Sequence, residues 1–347
     1  MTKVRARGED IRRFILEHVE KHPSDIGRVT AENFKITRQA VNKHLQKLCA
    51  EQALSESGKT RSRTYKLAAL VEWRQRWEIN HDLAEDLVWA DSIRPFLSPL
   101  PDNVLDIWHY GFTEMFNNAI DHSSGSEIRV RVRKNAMSTE MLLTDNGVGI
   151  FKKIQTTMNL LDERHAILEL SKGKLTTDPS NHSGEGIFFT SRMFDSFDIL
   201  SGNVFFTHQF GDDEDWILEK NDFTSGTSVW MKIHNHTSRT TKKIFDKFTS
   251  GDDYGFNKTV VPVKMAQYGE DKLISRSQAK RVLARVELFK TVIFNFEGVE
   301  IIGQAFADEI FRVFSQKHPE IELLAIKTSD EVKKMISRAK RGNVHAT

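Results

Sequence analysis

Apolar residues recur along this chain at two different spacings, and the changes between them predict three successive groups of elements. In residues 9–21 (EDIRRFILEHVEK), Ile11, Phe14, Ile15 and Val19 form one stripe at helical spacing, so a helix is predicted to begin after Gly8 with acidic residues in its first turn. A short helix is predicted next, near Asp25 to Phe34. In ITRQAVNKHLQKLCAEQAL, Thr37 is placed to cap a third helix whose inner face is Ala40, Val41, Leu45 and Leu48. Its outer face carries Arg38, Gln39, Asn42, Lys43 and Gln46. ALSESGKTRSRTYKL then predicts two short strands about Gly58, with Lys59, Arg61 and Arg63 at the tip.

The stretch from about Glu72 to Leu97, rich in tryptophan (Trp73, Trp77, Trp89), predicts a helix ended by the prolines of LSPLPDN. His81 within it is taken as a solvent-facing helical histidine, since no proline follows as it does in a phosphoacceptor box. TEMFNNAIDHSSG (113–125) predicts another helix, with Met115, Phe116, Ala119 and Ile120 on an apolar flank. Glu114, Asn118 and Asp121 stack on a different flank at i, i+4 and i+7. EIRVRVRKN (127–135) and TEMLLTDNGVGI (139–150) predict strands, the second running into Asp145-Asn146-Gly147-Val148-Gly149. In NHSGEGIFFTSRMFD, Gly184 and Gly186 precede an apolar helix. Strands around FDILSGNVFFTHQF and DWILEK come before TSGTSVWMKI, where Gly226 and Thr227 open a final strand of this group. From about Lys258, strand and helix patterns alternate (VVPVKMAQYG, SRSQAKRVLARVELF, TVIFNFEGVEII, QAFADEIFRVFSQ, IELLAIKT, EVKKMISRAK), which predicts a small α/β unit.

Composition narrows this picture. The 347 residues suffice for two or three domains, each with its own core. No apolar run approaches the roughly 18 residues of a membrane span, and MTKVRARGED lacks the apolar core of a signal peptide, so a cytoplasmic protein without a membrane partner is expected. The single cysteine, Cys49, excludes an internal disulfide and lies at helical spacing with Leu45 and Leu48, as buried filler does. The net charge of +2 hides an asymmetry: residues 1–70 hold 15 Lys and Arg against 8 Asp and Glu, and the remainder 35 against 40. A polyanionic partner is therefore expected at the basic end.

Three patterns carry chemistry. A carboxylate one helical turn from an amide, as Glu114 is from Asn118, suits orienting a water and holding a hard cation by oxygen. Asp145, at a strand end beside two glycines, combines close backbone approach with an acceptor for an exocyclic amine. Gly184 and Gly186 ahead of a helix offer backbone N–H groups to phosphate. His122 is equally placed to reach a phosphate or to cap its helix.

In this order and at these spacings, the helix around Glu114, the Asp145 turn, the Gly184–Gly186 stretch and the Thr227 strand look like the N, G1, G2 and G3 boxes of the GHKL ATPase superfamily, shared by gyrase, Hsp90, histidine kinases and MutL. The resemblance implies a Bergerat-type α/β sandwich over residues 71–250, led by a helical linker, with ATP and Mg2+ as its ligands. It assigns Glu114 the role of general base, Asn118 the magnesium, and Asp145 the adenine amino group. Gly147 and Gly149 would shape the pocket, Gly184 and Gly186 lie against the phosphates, and Thr227 place a hydroxyl near adenine. Residues 151–183 stand where the family has its ATP lid, which makes Lys172 and Lys174, beside Gly173, phosphate contacts on a closing loop.

Residues 1–70 resemble a winged helix-turn-helix domain. This implies that Arg38, Gln39, Asn42, Lys43, Lys59, Arg61 and Arg63 contact DNA, although the same elements also serve as protein-docking modules. Residues 251–347 resemble a STAS-like domain. Where anti-sigma-factor antagonists carry an acceptor serine, this chain has Gly303-Gln304-Ala305-Phe306, so a docking or self-associating platform is expected instead of a phosphorylation switch. The whole is expected to be a multidomain α+β, DNA-binding regulator that binds and hydrolyses ATP. A protein kinase of the anti-sigma-factor or histidine-kinase type, and a nucleotide sensor without turnover, are the alternatives.

Overall fold

Ile11, Ile15 and Val19 pack against Ile26, Val41, Leu45 and Leu48 to close a small amino-terminal core. These residues come from α1 (Lys3–His18), α2 (Ile26–Phe34) and α3 (Arg38–Ala50), with Val19 just past the end of α1. The computed structural model describes residues 3–59, 62–176, 184–211, 216–249, 255–267 and 272–341. Helix α1 runs through Gly8 instead of starting after it, and a Cβ there would meet only the His44 ring at 3.7 Å. It stops at His18, so Glu20 and Lys21 fall in the following turn. The Thr37 hydroxyl caps α3 by accepting from the Ala40 N–H at 3.2 Å. Antiparallel β1 (Leu54–Ser57) and β2 (Thr64–Leu67) add Leu54, Tyr65 and Leu67 to this core. Cys49 packs half-buried against it, and that burial pushes its thiol up.

The tryptophan-rich stretch opens as a strand, β3 (Val71–Glu78), where a helix was predicted. Residues four apart share a face in both helix and strand, so the Trp73–Trp77 spacing could not decide between them. Both rings turn inward: they lie 6.0 Å apart, and Trp77 meets Phe116 edge-on at 5.8 Å. His81 sits in an exposed turn, not on a helix. Helical structure begins only at α4 (Glu85–Val88) and continues through a π-helical turn (Trp89–Ile93) into α5 (Arg94–Leu97).

The long α6 (Asp102–His122) leads into β4 (Glu127–Lys134) and β5 (Ser138–Asp145). Next come α7 (Ile150–Thr157), α8 (Glu163–Lys172) and α9 (Gly186–Met193). Strands β6 (Ser196–Gln209) and β7 (Trp216–His234), then α10 (Thr241–Phe248), complete this unit. Its sheet is antiparallel throughout, in the order β3-β4-β5-β7-β6. Strand β7 is continuous where two strands were predicted, and β6 follows it through register shifts around Gly202. The inward residues of the sheet, among them Ile128, Val130, Val132, Met141 and Leu143, share one buried core with Trp108, Phe112 and Phe116 of α6 and Phe188 and Phe189 of α9.

The carboxy-terminal unit is a parallel sheet, β10-β9-β8, of β8 (Lys258–Pro262), β9 (Thr291–Asn295) and β10 (Glu322–Ile326). Its helices are α11 (Arg276–Leu283), α12 (Gln304–Asp308), α13 (Ser315–Lys317) and α14 (Asp330–Arg341), with a π-helical turn (Glu309–Phe314) between α12 and α13. Ser275 and Gln278 form a capping box at the start of α11. The core of this unit is continuous with the central one. Phe256 lies 4.6 Å from Phe188, 4.9 Å from Phe189 and 5.2 Å from Phe289. No helix among the described residues is long and apolar enough to cross a membrane.

Candidate functional site

Between α6, the end of β5, α7 and the start of α9 lies a cavity of about 290 Å3. Glu114, Asn118 and His122, successive turns of α6, line one side, and Asp145, Ile150, Thr227 and Val229 another. Leu143, Ile199 and Met115 supply apolar walls, and Leu170, Leu175, Thr176, Gly184 and Gly186 close the remainder. Separate stretches of chain thus converge on one opening. Asp121, the third polar residue on the predicted flank, is exposed and does not join the lining.

Asp145 is buried at the end of β5, and its Oδ1 accepts from the N–H groups of Gly147 at 2.8 Å and Thr227 at 3.3 Å. Burial raises its carboxyl above the ordinary aspartate value, and those hydrogen bonds oppose the rise only in part. With a further hydrogen bond from the Thr227 hydroxyl, these donors still leave acceptor capacity on a carboxylate that offers about four lone-pair sites. The Thr227 hydroxyl accepts from the Ile150 N–H at 3.0 Å, tying β7 to the start of α7. Gly147 passes so close to Ser123 that an added Cβ would lie 2.1 Å from its carbonyl oxygen. Gly149 adopts φ +90 beside Ser201, so a side chain there would be both strained and crowded.

At the opposite end, a Cβ on Gly186 would lie 1.9 Å from Glu114 Oε2, so the carboxylate abuts the first residue of α9. Gly184 has φ +72, and its carbonyl accepts from the Leu175 N–H at 3.0 Å. Beside them Glu185 is pushed up by burial, which Lys174 opposes. Tyr110, one turn before Glu114, is pushed up by burial and by the nearby charges of Glu114 and Glu185.

The two predicted lid lysines sit elsewhere than expected. The segment predicted as a closing loop forms α7 and α8 up to Lys172, and residues 177–183 lie outside the described residues. Lys172 is fully buried, away from the cavity: its ammonium donates to Glu169 at 2.7 Å, the Ala284 carbonyl at 2.8 Å and the Arg281 carbonyl at 3.1 Å. A phosphate contact by this side chain is therefore corrected to a structural ion pair. Burial pulls the Lys172 ammonium down and Glu169 opposes it. Burial alone would raise Glu169, but His165, Lys172 and Arg285 together hold it below the ordinary value. Lys174 reaches to the Leu288 carbonyl at 3.0 Å over the Phe289 ring, and is likewise not part of the lining.

Sequence reasoning missed Lys153. It lines the cavity from α7, and its Nζ donates to the His122 carbonyl at 2.6 Å. Its place four residues after Gly149, one turn into a helix that starts at the cavity edge, was the available signal.

On the amino-terminal unit, Arg38, Gln39, Asn42 and Lys43 all stand exposed on α3. Gln39 and Lys43 border a shallow cleft with His44 and Lys47. Lys59 is exposed at the hairpin tip, where Gly58 has φ +80 and Ser62 bridges the turn through the Lys59 carbonyl at 2.9 Å. Arg63 is half-buried and 3.5 Å from Glu56, so it is partly engaged within the hairpin. Arg61 lies outside the described residues.

Comparison with known families matches residues 278–333 to the STAS-like domain of unknown function DUF4325. That span runs from α11 to the start of α14 and includes β9 and β10. A search of curated proteins found no match to the chain. The protein is thus a multidomain α/β chain whose carboxy-terminal part is STAS-like.

Proposed function

We propose that the protein is a DNA-binding regulator controlled by ATP, with a GHKL-type nucleotide site in the central unit and a winged-helix-type module ahead of it. The convergence of Glu114, Asn118, Asp145, Thr227, Gly184 and Gly186 on one cavity carries this reading. Its volume of about 290 Å3 is near the lower end of the roughly 300–1,000 Å3 usual for ligand pockets.

The residues fit an adenine nucleotide. Asp145, with acceptor capacity left, would take a bond from the exocyclic amine, while Leu143, Ile199 and Met115 suit the faces of a planar base. The phosphates would lie toward Gly184, Gly186 and the start of α9, with positive charge from Lys153. Among the described residues no cluster of three or more His, Cys, Asp or Glu side chains could hold a metal alone. Mg2+ at the Asn118 amide oxygen would therefore rely on phosphate and water for its other ligands, as it commonly does. When bound it supplies charge neutralisation on the phosphate oxygens. Glu114, a turn away, orients a water and accepts its proton at the carboxylate.

Leu170, Leu175 and Thr176 border the cavity, and α8 is tied to the carboxy-terminal unit through Lys172 and Arg285. This supports a route by which nucleotide state alters the relation between units and, through it, DNA affinity.

Protein incubated with ATP labelled on the γ-phosphate tests the reading. Label released to water is expected, whereas label retained on protein would indicate a kinase, and binding without either a sensor. Glu114→Ala should keep nucleotide affinity while turnover falls by about 10²–10⁴-fold; undiminished turnover removes Glu114 as the base.

A further inference from the structure

The face of the five-stranded sheet turned away from its helices carries a ladder of exposed arginines. Arg129, Arg131 and Arg133 alternate along β4 with buried Val130 and Val132, and Arg74 and Arg76 project from β3 on the same side. The register sets Arg74 directly opposite Arg131 and Arg76 opposite Arg129. Like charges directly opposite each other weaken a sheet, a cost that acidic neighbours have to offset.

Acidic neighbours neutralise only part of it. Glu127 pairs with both Arg76 at 3.0 Å and Arg129 at 2.5 Å, and Glu72 pairs with Arg131 at 2.5 Å. Glu78 faces Glu127 at the end of the ladder. Arg74 and Arg133 make no ion pair with a described residue and both are exposed, although Glu72 and Glu140 stand opposite Arg133 in the register.

We propose that this arginine ladder is a second contact surface for the phosphate backbone of double-stranded DNA. Residues two apart on a strand repeat at about 6.6–6.8 Å, which presents guanidinium forks in a row to a row of phosphates. A second copy of this chain docking through the same face would oppose arginine to arginine. Duplex DNA is favoured by the charge of the row and because the amino-terminal unit meets the end of this sheet, where Met137 packs on its core. Glu20, just after α1, reaches Lys232 at 4.0 Å, and Lys232 lies in the cross-strand row of Arg133 and Glu140. On this proposal a duplex long enough to pass beyond α3 engages the ladder as well.

The inference rests on the reading of the amino-terminal unit as a DNA-binding module, and the test separates the two. Filter retention over a range of salt would compare duplexes of roughly 12 and roughly 36 bp, about one and three helical turns. With Arg74→Gln and Arg133→Gln combined, the short duplex is expected to bind as before. The long duplex should bind more weakly, its salt slope shallower by about 1.8, at roughly 0.9 for each phosphate no longer neutralised. These side chains are exposed, so an unchanged thermal midpoint and unchanged nucleotide binding are the folding controls. An unaltered slope on the long duplex, an equal loss on both lengths, or a loss seen with single strands alone overturns the ladder. Arg38→Gln with Lys43→Gln probes α3 separately: undiminished retention in that variant removes the α3 reading while the ladder stands or falls on its own slopes. If the unmodified protein retains no DNA, both are overturned.

Discussion

Asp145 joins two opposing influences, burial that raises its carboxyl and N–H donors that lower it, and burial wins. Above its raised value the group is ionised and accepts from an amine. As pH falls through that value it takes up a proton and meets the amine as a donor, so nucleotide affinity should drop at a pH above the ordinary aspartate value of about 3.9. For stability the same shift has the opposite sense: its contribution is present below the unfolded value and lost as pH rises through the folded one. Asp145→Asn keeps an oxygen for the Gly147 and Thr227 N–H groups. It should therefore hold its thermal midpoint at neutral pH while losing adenine selectivity and the acid limb of binding, measured by calorimetric titration; full ATP affinity in this variant would refute the role. Glu114, Asn118 and Asp145 were legible because helix periodicity and an Asp-Asn-Gly turn are local patterns. Lys153 was not, since its position depends on how the start of α7 meets the end of α6.

At the scale of elements, α8 shows where local pattern stops being informative. A lysine beside a glycine suggests an exposed phosphate contact, but the partners of Lys172 are carbonyls at the end of α11, more than a hundred positions later. Lys172→Met leaves Glu169 buried with one partner fewer and should destabilise by roughly 3–5 kcal/mol, seen as a lowered thermal midpoint. A phosphate-binding lysine would instead lose ATP affinity at an unchanged midpoint. The β3 strand was hidden for a different reason, because the Trp73–Trp77 interval satisfies either periodicity. The helices of the amino-terminal unit were legible from their stripes, and so was the alternation of strand and helix after Lys258.

Across the whole molecule, the order of the units follows from changes of pattern, but their union does not. Nothing local signals that the end of α8, Arg285 and the turn bearing Leu288 are hydrogen-bonded together. Binding of a non-hydrolysable ATP analogue is therefore expected to slow amide exchange both around Leu170–Thr176 and around Arg281–Leu288, followed by mass spectrometry. Protection confined to the cavity walls would mean that the carboxy-terminal unit does not sense the nucleotide.

Phe256 is buried against rings on both sides of the 250–254 junction. A recombinant piece stopping after α10 would uncover the side of Phe188 and Phe189 that Phe256 covers, and one beginning at β8 would take Phe256 from Phe289. Each would tend to clump or bind chaperones. Shuffling this STAS-like segment onto another protein would require a matching aromatic socket in the host.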